Sequence, residues 1–358
     1  MHTVQTRPLE GLLVLEFSHV VAGPFTGLKL LQMGAQVIKV EPPASGDYLQ
    51  ALAHGRRSYE AMNAGKDIRR IDLASSEGRD EALALATQCD VLLDSFRPGV
   101  LDRHGLAYET LAAVNPGLVH CSISGWGSQQ GRWSSLGAYD HVMQALTGIS
   151  LQTGNPGDPP IKVGFPLVDT GVGLLAVNAI LSALMSRARS GRGQYLEIAM
   201  WQAALQLMYP MACELLTTNV ESPRVGNGGY TGSPGAGFFA CADGWLALGA
   251  NTPAQLDRAA MALGIAAPDW RAETAVLPSP QTVFADQVAA TLRTMSSEAA
   301  EAAMRAYDVP VARAHSLRQF LEHAEAVGLL QAETTGITEA VRAPGRGWRS
   351  FEAGPASP

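Results

Sequence analysis

The sequence has no closely spaced cysteines, no excess of positive charge and no uninterrupted apolar run of bilayer length. Cys89, Cys121, Cys213 and Cys241 are far apart and form no C-x-x-C motif. That spacing argues for reduced thiols in a cytoplasmic protein and against a zinc site. Lys and Arg number 26 against 33 Asp and Glu, a net charge of -7. Nothing therefore draws the whole chain to nucleic acid or to an anionic membrane. The opening "MHTVQTRPLEG" lacks the apolar core of a signal peptide. The longest apolar stretch, Gly171 to Met185, contains Asn178 and Ser182 and reads as too short to span a bilayer. No repeat is visible.

What the sequence does have is core. Its 358 residues are 47% hydrophobic, enough for two domains or one large domain with an excursion. Short apolar runs at 12–17, 35–43, 90–96, 117–125 and 193–200 read as strands, with "RRIDL" a further one. Helical patterns at 22–34 and 76–89 fall between them, the second opened by a serine cap and early acids. Strands alternating with helices predict an α/β fold with a parallel sheet covered on both faces. After residue 200 the pattern changes. A helix over 201–218 is interrupted near Pro210, and the glycine-rich "VGNGGYTGSPGAG" follows at 225–237 as a linker or a flexible loop. A hairpin turning at Asp243-Gly244 and helices at 253–264, about 282–306 and 316–328 complete a smaller α+β domain. The tail from 331 reads as loosely structured.

One stretch, "GFPLVDTGVGLLAVNAILSALMSR" at 164–187, carries the chemistry. Asp169 at the mouth of an apolar helix suits an N-cap. It equally suits a carboxylate kept ionised by the helix end and free to act as a nucleophile. Gly171 and Gly173 weaken such a helix by about 1 kcal/mol each. They are expected where a ligand or another chain approaches the backbone closely.

Four stretches together carry a family likeness. They are "VLEFSHVVAGPFTGLKLLQMGAQVIKVEPPASGD", the run from "NAGKDIRRIDL" through "SFRPGVLDRHG" to "CSISGWG", "AYDHVMQALTGI" and "VDTGVGLLAVNAILSALMSRARSGRGQYLEIAM". The chain resembles the class III coenzyme A transferases, the CaiB/BaiF group, which includes formyl-CoA transferase, carnitine CoA-transferase and the α-methylacyl-CoA racemases. The resemblance implies a large Rossmann-like CoA-binding domain over 1–200, a linker helix at 201–224 and a small domain at 225–330. The tail 331–358 would return to the large domain, although the family's closing "P-x-L-G-x-H-T" helix is absent. It also implies two chains interlocked as rings.

The implied activity is transfer of CoA from an acyl-CoA thioester to a carboxylic acid, with CoA as substrate and no permanently bound cofactor. Asp169 matches the family nucleophile, which passes through aspartyl anhydride and aspartyl-CoA thioester states. Asp140 matches an acidic position close to it. Tyr139 stands where the racemases place a histidine base, and a phenol is a poor base at neutral pH. His141 and His19 are weaker candidates for chemistry. For CoA, the resemblance points to Lys39, Ser95, Phe96 and Arg103, with Arg97, Lys66 and Arg56 as further cations. Val21 and Ala22 are further CoA-binding candidates by the resemblance, Val21 replacing a glutamine that formyl-CoA transferase has beside its active aspartate. Gly228 and Gly229 are compared with that enzyme's active-site loop. A racemase, or a non-catalytic acyl-CoA-binding protein, remains open on the same residues.

Overall fold

Short runs, apolar at the centre of the sheet and more polar at its edges, build a six-stranded parallel sheet in this computed structural model, which describes residues 2–4, 7–52, 54–129, 131–267, 280–328, 330 and 332–352. The strands are β1 (Leu13–Phe17), β2 (Gln36–Glu41), β3 (Asp67–Arg70), β4 (Val91–Asp94), β5 (Val119–Ser124) and β6 (Gln194–Ala199), ordered β3-β2-β1-β4-β5-β6. β4 and β5 are buried along their whole length, as strands covered on both faces must be. Alternate residues of β1 serve the two faces. Val14 joins a core with Val37, Val91 and Val119, while Leu15 and Phe17 join another with Val40 and Leu92. The chain runs one way from β1 to β3 and the other way from β4 to β6. The crevice beyond the carboxyl ends of β1 and β4 is therefore the topological switch point, where open α/β sheets bind ligands.

Helices of this unit include α1 (Ala22–Gln32), α2 (Arg56–Asn63), α3 (Ser76–Ala86), α4 (Asp140–Leu146), α5 (Leu167–Ser190), α6 (Met200–Leu207) and α7 (Tyr209–Thr218). α3 opens as its sequence predicts, with Ser75 Oγ accepting the Gly78 N–H at 3.0 Å. The expected helix over 201–218 is two helices. Pro210, which has no N–H to donate, sits in the first turn of α7. α5 is longer than the apolar run suggested. Its 24 residues are long and apolar enough to cross a membrane, yet Val168, Val172, Ala176, Ile180 and Ala183 are core residues.

Two compact units emerge, Met1–Ser150 with Lys162–Glu221 and Gln331–Pro358, and Leu151–Ile161 with Ser222–Leu330. The second has an antiparallel sheet of β7 (Gly235–Ala240), β8 (Trp245–Ala250) and β9 (Val311–Arg313), in the order β9-β8-β7. Its helices are α8 (Pro253–Leu263), α9 (Pro280–Arg293), α10 (Ser297–Ala306) and α11 (Leu317–Ala326). Leu246, Leu248, Leu256, Phe284 and Val288 belong to its own core. The single helix expected over 282–306 is divided, because Ser296 caps a new start at α10 by accepting the Ala299 N–H.

The tail is more ordered than its composition suggested. Ala332–Thr335 pairs antiparallel with Val341–Pro344, and Ser350–Glu352 pairs with His2–Val4. Glu60 on α2 accepts the N–H groups of Ile337 and Thr338 at 2.6 and 2.9 Å. Those bonds fasten the returning segment to the first unit. Among its described residues the tail forms these strands where the family's closing helix motif is missing.

Candidate active site

A cavity of about 450 Å3 opens at the switch point, within the usual range for ligand sites. The turn after β1 contributes His19, Val20, Val21 and Ala22. The loop after β4 contributes Ser95, Phe96, Arg97 and, from the short helix beyond, Arg103. Tyr139 and Asp169 complete it with Ile123, Ala138 and Met200. Nine of the residues singled out from sequence thus meet in one place: His19, Val21, Ala22, Ser95, Phe96, Arg97, Arg103, Tyr139 and Asp169.

The loop after β4 is set from below. Asp94 Oδ1 accepts the Phe96 N–H at 3.1 Å, and His120 Nε2 lies 2.9 Å from Asp94 Oδ2. Ser95 Oγ accepts the His19 N–H at 3.3 Å, joining the two sides of the crevice. Ser95 therefore holds the turn as well as lining the cavity. Asp94 and His120 were not singled out from sequence. An acid at a strand end, one residue before a predicted ligand loop, was the available signal.

Asp169 does not cap α5. It lies in the helix's first turn, and the cap comes from another helix. Asp140 Oδ2, at the start of α4, accepts the N–H groups of Val168 at 2.6 Å and Asp169 at 3.1 Å. Asp140 Oδ1 is held by the Gln144 amide one turn on, and Gln144 Oε1 accepts the Val163 N–H at 2.8 Å. Gln144 is fully buried and orients the acid.

The consequence for Asp169 is chemical. Asp140 has taken the helix-end donors that would have favoured a second anion. Burial, and then the Asp140 charge, push the Asp169 carboxyl up to about 7. The expectation that the helix end keeps Asp169 ionised is corrected, since burial and the Asp140 charge raise its affinity for protons. Below neutrality it holds a proton.

Gly171 and Gly173 admit neighbours from their own chain. A Cβ on Gly173 would lie 3.0 Å from Phe25 and 3.2 Å from the Ala22 carbonyl of α1, and one on Gly171 would lie 2.9 Å from Leu207 of α6. The close approach is by α1 and α6, so neither a ligand nor a second chain is needed to explain the glycines.

Other predicted residues lie elsewhere. The Lys39 and Lys66 side chains are sealed from solvent and paired with Glu16 and Asp47. They do not line the cavity. Arg56 borders a different hollow with Glu60 and Thr338. Gly228 and Gly229 belong to the second unit, where Gly228 pairs with Gly237 and the Gly229 N–H donates to the Ala236 carbonyl at 2.9 Å. That glycine run is an arm hydrogen-bonded to β7. Tyr139 is extended, ahead of α4, so its ring lies parallel to that of His141 at 6.2 Å. The two do not point apart as a shared helix would require. His141 is not among the cavity-lining residues.

The sequence profile of CoA-transferase family III matches residues 9–353. The chain belongs to that family. It is 33% identical over 326 residues to succinyl-CoA–D-citramalate CoA-transferase of Chloroflexus aurantiacus, covering 88% of this chain and 80% of that one. It is 35% identical over 271 residues to succinate–glutarate CoA-transferase of Agrobacterium fabrum, covering 73% and 67%. A CaiB/BaiF family protein from Brucella suis superposes with a TM-score of 0.78 at 29% identity, covering 91% of this chain and 89% of its own. This family III chain is thus an enzyme of the CoA-transferase class.

Proposed function

We propose that this CoA-transferase moves CoA from an acyl-CoA thioester to a carboxylic acid through covalent states of Asp169. One observation carries the reading. The Asp169 carboxylate shares a cavity with Arg97 and Arg103, while Asp140 relieves it of any capping duty. Two exposed guanidinium groups suit the phosphates of CoA, and Val21, Ile123, Ala138 and Met200 suit the apolar part of the arm and acyl group.

The steps balance as follows. An Asp169 oxygen attacks the thioester carbonyl, the C–S bond breaks, and CoA leaves as thiolate. The thiolate attacks the aspartyl carbonyl of the anhydride, releasing the donor's carboxylate and leaving an aspartyl-CoA thioester. An acceptor carboxylate attacks that thioester, freeing thiolate and forming a new anhydride. Thiolate then attacks the acceptor's carbonyl, which regenerates the Asp169 carboxylate. A carboxyl near 7 favours this role: its conjugate base is more nucleophilic than an ordinary carboxylate and is well populated at neutral pH.

The acceptor class to test first is a small dicarboxylic acid, as named for the two relatives. The reading places the enzyme in the cytoplasm, as a homodimer of interlocked rings. Support for association comes from α7, which has no buried residue and leaves Tyr209, Leu215 and Leu216 exposed, Leu216 at 86%. Apolar surface of this kind marks an interaction site.

The test is a matrix of acyl-CoA donors against carboxylic acids, read by mass spectrometry of the new CoA thioester. Formation of acceptor-CoA with release of donor acid supports the proposal. Deuterium exchange at the donor's α-carbon without any transfer contradicts it and indicates a racemase.

A further inference from the structure

We propose that the buried cluster Glu16, Lys39, Asp47 and Lys66 is a positioning device for the active site. It clamps the turn from Ser18 to Ala22 in the conformation that shapes the cavity wall. This deepens the transferase reading and rests on it.

Val20 is the point of strain. Its φ is +67°, a region that β-branched residues rarely enter. The conformation is held by one carboxylate. Asp47 Oδ1 accepts the Val20 N–H at 3.1 Å and the Leu49 N–H at 2.9 Å. Asp47 Oδ2 is fixed in turn by Lys39 Nζ at 2.9 Å.

The rest of the cluster grips the same turn from both ends. Ser18 Oγ donates to Glu16 Oε1 at 2.6 Å, and Lys39 Nζ lies 3.4 Å from that oxygen. Lys66 Nζ donates to Glu16 Oε2 at 2.8 Å and to the Pro24 carbonyl, in the first turn of α1, at 2.9 Å. Ser18, Val20 and Pro24 are thus tied to one buried network. Gly27 of α1 leaves room for it, since a Cβ there would clash with Glu16 Oε2. Between these anchors, Val20, Val21 and Ala22 face the cavity that holds Asp169.

Sealing two cations and two anions from water is a poor way to gain stability, because desolvation offsets the attraction. Such a network specifies geometry instead. Lys39 and Lys66 therefore serve the reaction through the turn and without touching CoA, unlike Arg97 and Arg103.

The test combines amide exchange with steady-state kinetics on Asp47→Ala, Lys39→Met and Val20→Gly. In the intact protein the Val20 amide should exchange slowly, and in folded Asp47→Ala at least about tenfold faster as its bond opens. In the transfer assay, Asp47→Ala and Lys39→Met should lower kcat about tenfold or more, with KM for the CoA donor within about threefold, as loss of transition-state positioning predicts. Adding Val20→Gly to Asp47→Ala should recover part of kcat, because glycine adopts φ > 0 without a clamp. A merely structural role would give no such rescue.

Unchanged Val20 exchange in Asp47→Ala overturns the clamp whether or not the protein transfers CoA. Wild-type kcat in folded Asp47→Ala, or a raised KM with unchanged kcat in Lys39→Met, overturns the positioning role. Absence of transfer by the unmodified enzyme counts against the transferase reading alone. If Asp47→Ala does not fold, Asp47→Asn takes its place, keeping an acceptor for Val20 but weakening the hold of Lys39. A wild-type kcat in that variant also overturns the proposal.

Discussion

Asp140 caps the helix that carries Asp169, its Oδ2 accepting the Asp169 N–H at 3.1 Å. The two tasks that the sequence left as alternatives for Asp169, cap and free carboxyl, therefore fall to two acids. Asp140 satisfies the helix end, and Asp169 is left facing the cavity with a raised affinity for protons.

Removing the cap should damage both stability and catalysis. Asp140→Ala leaves the Val168 and Asp169 amides without their acceptor and is expected to cost about 1–2 kcal/mol of stability. kcat should fall as Asp169 loses its fixed position. Asp140→Asn keeps an acceptor but removes the charge, so the acid limb of kcat/KM should move to lower pH. The shift should be partial, because burial is the larger cause of the raised Asp169 pKa. Chemical denaturation and pH–rate profiles of the two variants check this.

The proton affinity of Asp169 has a stability signature of definite sign. Its carboxyl titrates at about 7 when folded and near 3.8 when unfolded. Between those values the folded state binds the extra proton, so stability falls as pH rises through the window and levels off above about 7. Asp169→Asn removes that slope. It should gain stability relative to the native protein at pH 8, by roughly 1–3 kcal/mol for a half-buried carboxylate, and gain little at pH 4. Urea unfolding of both proteins at the two pH values measures the difference. A native protein relatively more stable at pH 8 would falsify the shift.

Arg97 and Arg103 should affect affinity for CoA more than turnover. Each single change to Ala is expected to raise KM for the CoA donor about tenfold, the scale of one charge-assisted contact, with kcat changed less. Lys66→Met, by contrast, should leave KM near native, since its ammonium is buried against Glu16. Kinetics on the three variants separates surface cations that meet the ligand from buried ones that do not.

The exposed face of α7 predicts assembly. Leu216→Asp places a charge where 86% of the leucine is exposed. A monomer would tolerate it, whereas an interface would not. Sedimentation velocity should show a dimer for the native chain and a shift towards monomer for the variant.

Much of the site was legible because it follows local chain order. Ser95 to Arg97 follow a strand that reads plainly as apolar, and Val21 and Ala22 open α1 after another. Asp169 stood out as an acid at the head of an apolar helix. What the sequence hid were partners brought together by folding. Asp140 and the amides it caps are separated by 28 and 29 residues. Lys39 and Lys66 were expected to meet CoA because lysine is seldom buried unless paired, and the sequence does not show the pairing. Their partners Glu16 and Asp47 come from another strand and a loop. Gly171 and Gly173 signalled close approach correctly but not what approaches, since helix-to-helix contact and ligand contact demand the same missing Cβ.

The most direct measurement is hydroxylamine trapping during turnover, followed by peptide mass spectrometry. With an active acyl-CoA donor, the account predicts a hydroxamate on Asp169 and on no other acid, and neither hydroxamate nor transferred CoA with Asp169→Asn. An unmodified Asp169 in a protein that is transferring CoA, or native-rate transfer by Asp169→Asn, would contradict it.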